Sequence, residues 1–214
     1  MAAAGETDVC GICLETLPIW WGGDEITRFT CCGKVMHNAC TEELQASAHG
    51  DKCPMCRAHL PTTLLESHRR SLQWAERGKG WAMDMIAQDY EHGRGVQRSQ
   101  KKARLWYGRA AEQGHAEAQC NLGFMHEKGQ GGPVSMEQAR VWYGRAAEQG
   151  FALAQYNLGI MHDRGQGWPV SMEQARVWYG RAAEQGYAQA QFAFGDMHEK
   201  GQGGPVSMEQ ARVW

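Results

Sequence analysis

The sequence predicts two structural units in series: a small module held together by metal ions, then an all-α solenoid of helix pairs. Two observations carry this expectation. Seven of the eight cysteines fall between Cys10 and Cys56, accompanied by His37. Beyond them the chain repeats every 36 residues, with Trp106-Tyr107, Trp142-Tyr143 and Trp178-Tyr179 in register and Trp214 on the next step. A period between about 20 and 50 residues marks stacked supersecondary units, each burying its apolar face only against its neighbours.

The metal-binding expectation rests on ligand type and spacing. The order is Cys10-x-x-Cys13, Cys31-Cys32, His37 with Cys40, and Cys53-x-x-Cys56. These eight soft ligands fill two tetrahedral zinc sites with none left over. Zinc favours thiolate and imidazole because it is borderline-soft and has no geometric preference of its own. Each Cys-x-x-Cys turn delivers two thiolates to one ion at little loop entropy. The rival reading, a secreted disulfide framework, fits badly. Residues 1–8 carry neither a basic region nor an apolar run, seven cysteines do not pair, and a histidine sits among them.

This ligand series resembles the RING-finger family, which implies a small α+β cross-brace over residues 7–60. The resemblance assigns Cys10, Cys13, His37 and Cys40 to one ion and Cys31, Cys32, Cys53 and Cys56 to the other. Adjacent Cys31 and Cys32 depart from the commoner pattern, which would place a ligand at Lys34; His49 is the alternative to Cys31. With every position filled, both zinc ions are expected to be structural. The resemblance also implies a ubiquitin ligase, which binds a ubiquitin-conjugating enzyme and holds its thioester-linked ubiquitin in a reactive arrangement. Ile12 and Pro54 match the family's contacts to the conjugating enzyme. Arg57 matches the cation that bonds both that enzyme and ubiquitin, a task suited to a planar fork of donors. The tryptophan often found before the last ligand pair is missing, and Leu44 is the apolar residue available between Cys40 and Cys53.

Charge and hydropathy exclude other classes. Residues 1–60 hold four basic and eight acidic side chains, a formal −4, so the remainder of a chain of net charge −2 carries +2. A zinc module this acidic lacks the basic stripe that nucleic acid requires. No apolar run approaches the roughly 18 residues of a membrane span. The expectation is an intracellular protein, in the cytoplasm, without nucleic-acid or membrane partners.

Each repeat reads as two helices. Three units are expected over 82–117, 118–153 and 154–189, and a partial one over 190–214. Ser135 is the expected N-cap of a second helix, with Gln138 completing a capping box; Ser171/Gln174 and Ser207/Gln210 repeat the pair. Gly150 and Gly186 suit the left-handed position after that helix. Ala154, Leu158 and Met161 share one face of a first helix, and Gly129, Gly131 and Gly132 supply the turn. The pattern Leu122-Gly123-Phe124-Met125-His126, Gly129-Gln130-Gly131, and Ala139-Arg140-Val141-Trp142-Tyr143 through Ala146-Ala147 to Gly150 resembles Sel-1-like repeats, relatives of the tetratricopeptide repeat. That resemblance implies a right-handed solenoid whose concave surface binds a protein substrate or partner.

Residues 61–80 read as a capping helix and a near-rigid connector, with Leu65, His68, Leu72 and Ala75 at helical spacing. His126, His162 and His198 recur at 36 residues, a spacing that suits packing rather than a shared ion. Cys120 reads as a small buried residue, and the methionine and tryptophan stripes as core. Two functions compete. One is a ligase recruiting substrate through the solenoid; the other is a non-catalytic zinc-capped scaffold with a monotonous surface in which Glu137, Arg140 and Arg145 recur.

Overall fold

The computed structural model describes the backbone of residues 26–28 and 35–37, and residues 58–214 with their side chains. Strands β1 (Ile26–Arg28) and β2 (Val35–His37) pair antiparallel, with Ile26 opposite His37 and Arg28 opposite Val35.

Helices α1 (Leu64–Glu76) and α2 (Gly80–His92) form an antiparallel-connected pair that packs together. Thr63 caps α1 by accepting from the Glu66 amide at 3.1 Å, and the Glu66 carboxylate takes the Thr62 amide in return at 3.1 Å. The buried face of α1 is His68, Ser71 and Ala75, whereas Leu65 is 43 % exposed. Of the four residues at helical spacing, His68 and Ala75 are buried and Leu72 half-buried, while Leu65 stays exposed. A polar anchor selects the face: His68 Nδ1 lies 2.8 Å from Asp89 Oδ2, and its ring meets Tyr90 edge-on at 5.4 Å. Trp74 and Trp81 close the other end of the pair, 5.9 Å apart.

The second unit, residues 99–214, is a stack of helices: α3 (Gln100–Glu112), α4 (Ala116–Lys128), α5 (Met136–Glu148), α6 (Ala152–Arg164), α7 (Met172–Glu184), α8 (Ala188–Lys200) and the short α9 (Met208–Val213). The main contacts join consecutive helices, the signature of a solenoid. Ser135, Ser171 and Ser207 cap α5, α7 and α9, each accepting from the third amide of its helix. Only half of the expected capping box forms. The Ser135, Ser171 and Ser207 amides donate instead to the carbonyls of His126, His162 and His198, so the glutamines have no donor to reach back for. Helices α4, α6 and α8 end on left-handed Gly129, Gly165 and Gly201, a conformation in which a Cβ is costly.

Ala154, Leu158 and Met161 face inward as their spacing requires, joining Tyr143, Ala146, Ala147 and Cys120 in one core cluster. Two glycines inside helices make this packing possible. A Cβ on Gly123 would lie 2.8 Å from the Tyr143 ring, and one on Gly159 would lie 2.5 Å from the Tyr179 ring. A glutamine ladder then links successive turns. Gln119 donates to the Ala111 carbonyl at 3.0 Å, and Gln149 donates to Gln119 Oε1 at 2.7 Å. Gln155 and Gln185 repeat the arrangement with Ala147. Each buried amide is thereby satisfied twice, which is what a buried polar group needs.

The tryptophans are not core in the same sense as the tyrosines. Trp106, Trp142 and Trp178 are half-buried, each roofed by an arginine three residues on: Arg109, Arg145 and Arg181 at 4.5, 4.6 and 4.6 Å from the ring centroids. A guanidinium stacks on the electron-rich indole face and keeps its charge in water.

Candidate functional site

The expected zinc ligands Cys10, Cys13, Cys31, Cys32, Cys40, Cys53 and Cys56, the alternative His49, and the expected partner residues Ile12, Leu44, Pro54 and Arg57 lie outside the described residues. Of His37, only the backbone is described, as the end of β2 paired with Ile26. Residues 29–34, which include Cys31 and Cys32, connect the two strands in the chain. Among the described residues no group of three or more histidine, cysteine or acidic side chains could hold a metal ion.

Within the helical stack, the distinctive chemistry lies where each second helix meets the next first helix. Arg104 of α3 crosses to α4, where its Nη2 donates to His126 Nδ1 at 2.7 Å while Nη1 reaches the carbonyls of Gln130 and Pro133 at 3.4 and 3.3 Å. Arg176 of α7 donates likewise from Nη2 to His198 Nδ1 of α8, at 2.6 Å, while its Nη1 has no hydrogen-bond partner. Arginine is always a donor, so each of these imidazoles accepts at Nδ1 and is neutral. Burial and the nearby guanidinium both hold the histidine pKa below its ordinary value. His126 and His198 thus accept hydrogen bonds in separate units, 72 residues apart.

The middle junction differs. Position 168 is tryptophan where the 36-residue period places Gly132 and Gly204. At those glycines a Cβ would collide with the guanidinium of Arg104 or Arg176. Trp168 instead displaces its arginine: Arg140 lies over the indole at 4.0 Å, and the indole stacks on His162 at 4.5 Å with 25° between the planes. His162 is 6 % exposed, and its Nδ1 has no hydrogen-bond partner; Trp168 Nε1 has none either. Both residues line a groove of about 420 Å³ with Pro169, Val170 and Trp178. The surface is therefore not monotonous, contrary to the reading from Glu137, Arg140 and Arg145. The signal was present in the sequence as the tryptophan standing where the units on either side have glycine.

A second break lies at α4. Glu117 occupies the position of Leu153 and Gln189, and burial raises its pKa to about 7. Cys120, one turn on, is buried; burial and Glu117 both push its thiol pKa well up, and Asn157 Nδ2 approaches its sulfur at 3.9 Å. A thiol so suppressed is a packing group, since the thiolate is the reactive form.

The Sel1 repeat model matches residues 82–115, 116–151, 152–187 and 188–214. The chain belongs to the Sel1 repeat family. Its Sel1 units from the second onward begin with α4, α6 and α8. Two solved structures are similar. One is a protective antigen present in uropathogenic Escherichia coli strains displaying an SLR fold, with TM-score 0.70 and 29 % identity over 72 % of this chain and 33 % of that one. The other is a Sel1 repeat protein from Oxalobacter formigenes, with TM-score 0.69 and 31 % identity over 72 % of this chain and 64 % of that one. An uncharacterised RING finger protein of Schizosaccharomyces pombe is 35 % identical over 65 residues, which is 30 % of this chain and 7 % of that protein. The chain thus spans a small fraction of the yeast protein and between about one third and two thirds of the bacterial ones. The all-helical solenoid of helix pairs is the fold that these two Sel1-type structures share with this chain. Among the described residues no helix is long and apolar enough to cross a membrane.

Proposed function

We propose that this chain is a RING-type ubiquitin ligase that recruits a ubiquitin-conjugating enzyme through residues 7–60 and a protein substrate through the Sel1 solenoid. The observation that carries the reading is the ligand series from Cys10 to Cys56 with Arg57 directly after it. Seven thiols and one imidazole form a donor set that fits zinc in both number and softness. When bound, two zinc ions would supply structural cross-links in a module too small to bury a sufficient core. Cys10, Cys13, His37 and Cys40 would hold one, and Cys31, Cys32, Cys53 and Cys56 the other. The name of the partial yeast relative adds support.

In this reading Ile12, Pro54 and Leu44 present the apolar surface that meets the conjugating enzyme. Arg57 donates to acceptors on both that enzyme and ubiquitin, holding the thioester where an incoming amine can attack it. The gain is orientation, with no covalent intermediate on this chain. The solenoid brings the substrate lysine close by raising its effective concentration.

The test is single-turnover discharge of ubiquitin from a panel of charged conjugating enzymes. Stimulation is expected with at least one enzyme. Arg57→Ala should slow discharge while sparing binding, and Ile12→Ala should weaken binding, both with zinc retained. Elemental analysis should return two zinc ions per chain, and Cys31→Ser should release one; retention of both would transfer that ligand role to His49. A chain that binds two zinc ions yet stimulates no enzyme would be the non-catalytic scaffold.

A further inference from the structure

The second helices share a mid-helix glycine whose use the structure shows at one place only. Gly108, Gly144 and Gly180 hold one repeat position inside α3, α5 and α7. Glycine is among the poorest helix formers, so a glycine there asks what its missing side chain makes room for. At Gly180 the answer is an aromatic ring. A Cβ there would lie 3.1 Å from Cζ and 3.2 Å from Cε2 of Phe194 on α8, and the ring leaves the glycine buried. Phe194 stands where the earlier units have Leu122 and Leu158. With leucine the seat stays open: a Cβ on Gly108 or Gly144 would meet nothing within 4 Å, and both glycines are partly exposed.

The two open seats differ in charge. Lys101, Leu105, Gly108 and Glu112 follow one another at i, i+4, i+7 and i+11 and so line one stripe of α3, with Lys102 and Arg109 beside it. Both lysines and Arg109 are exposed, and Leu105 is 55 % exposed. On α5 the lysine positions hold Glu137 and Gln138, so that face is acidic at both ends, Glu137 and Glu148, with Arg145 between. A carboxylate-rich partner is therefore drawn to α3 and rejected by α5. Nucleic acid would answer the cations equally well, but its phosphates gain nothing from Leu105 or from an apolar notch. An amphipathic acidic peptide gains from the cations, the leucine and the notch together.

We propose that the exposed face of α3 binds an acidic amphipathic segment of a partner protein, with an aromatic side chain of that segment seated at Gly108 beside Leu105 and its carboxylates facing Lys101, Lys102 and Arg109. This rests on the reading of the solenoid as the partner-binding half and does not depend on the zinc module.

The test is titration of the full ¹⁵N-labelled chain with an end-capped twelve-residue peptide of aspartate, leucine and phenylalanine, following the Gly108 amide and Trp106 indole resonances. The same peptide with leucine for phenylalanine, the same with lysine for aspartate, and a short DNA duplex are the comparisons. A saturable shift at Gly108 is expected with the first peptide, about fivefold weaker binding of the leucine form, and no binding of the lysine form. Leu122→Phe places a ring at Gly108 as Phe194 does at Gly180, and should weaken binding about tenfold; α7 and α8 already pack in this way, so the fold should survive. Lys101→Glu with Lys102→Gln copies the α5 surface and should also weaken binding about tenfold; this pair decides the question should Leu122→Phe not fold. No saturable shift, equal binding of the leucine or lysine peptide, undiminished binding by either folded variant, or DNA binding as tight as the peptide's with the same Gly108 shift would each overturn the proposal. Peptide binding by a chain inactive in ubiquitin discharge would uphold it while removing the ligase reading.

Discussion

Replacing Gly159 by alanine tests whether the helix stack is set by ring-on-backbone contact. In an isolated helix this change is favourable by about 1 kcal/mol, since glycine is a poor helix former. In the stack, the new Cβ would lie 2.5 Å from both Cδ1 and Cε1 of Tyr179, well inside contact distance. The ring has little room to retreat, because Tyr179 is 4 % exposed and packs on Tyr156 with centroids 5.6 Å apart. Overpacking of this kind costs up to about 3 kcal/mol, so the net expectation is a loss of about 2 kcal/mol. Gly144 is the matched control: it also lies inside a helix, but a Cβ there meets nothing within 4 Å. Gly144→Ala should gain about 0.5–1 kcal/mol. Urea denaturation of both variants, followed by far-ultraviolet circular dichroism, reads the difference as opposite shifts in midpoint at unchanged slope. A Gly159→Ala protein as stable as the parent would show that the tyrosine ring does not depend on the missing side chain.

Other outcomes follow from the same structure. Glu117, with a folded pKa raised from 4.5 to about 7, binds more protons folded than unfolded between those values, so stability should fall as pH rises through that window and level off above it. At about 1.4 kcal/mol per unit the loss is at most about 3.5 kcal/mol, and Glu117→Leu, which copies position 153, should flatten the profile in thermal melts at pH 5 and pH 8. Gln155→Leu removes two side-chain hydrogen bonds, one given to the Ala147 carbonyl and one taken from the Gln185 amide, and should cost about 1–3 kcal/mol, whereas exposed Gln185→Ala should cost under about 1; melting temperatures decide. Helix α9 has six residues and none buried, so its amides should exchange much faster than those of α5 to α7. Uniform protection through residue 213 would contradict that ordering.

Much of the solenoid was legible because its determinants are local. Ser135 caps because a side-chain oxygen three residues before an amide can reach it, and Gly129 ends α4 because a left-handed residue is needed there; neither depends on the rest of the fold. The inward face of α6, with Ala154, Leu158 and Met161, follows from helical spacing alone. On α1 the same spacing placed His68 and Ala75 on the buried face but also Leu65, which is exposed. The pairing of His68 with Asp89, 21 residues away, is a polar anchor that no local pattern announces.

The proposed zinc module rests wholly on the sequence, since ligand type and spacing are chemical facts of the chain before it folds. So does the number of stacked units, since a 36-residue period is a property of the string. Tertiary structure decided what the recurring residues do. Arg104, Arg140 and Arg176 are one residue type at one repeat position, yet two bond a histidine 22 positions on and the third lies on an indole. The difference arises because Gly132 and Gly204 leave room for a guanidinium where Trp168 fills it, and occupancy of a volume between helices is settled only when the helices pack.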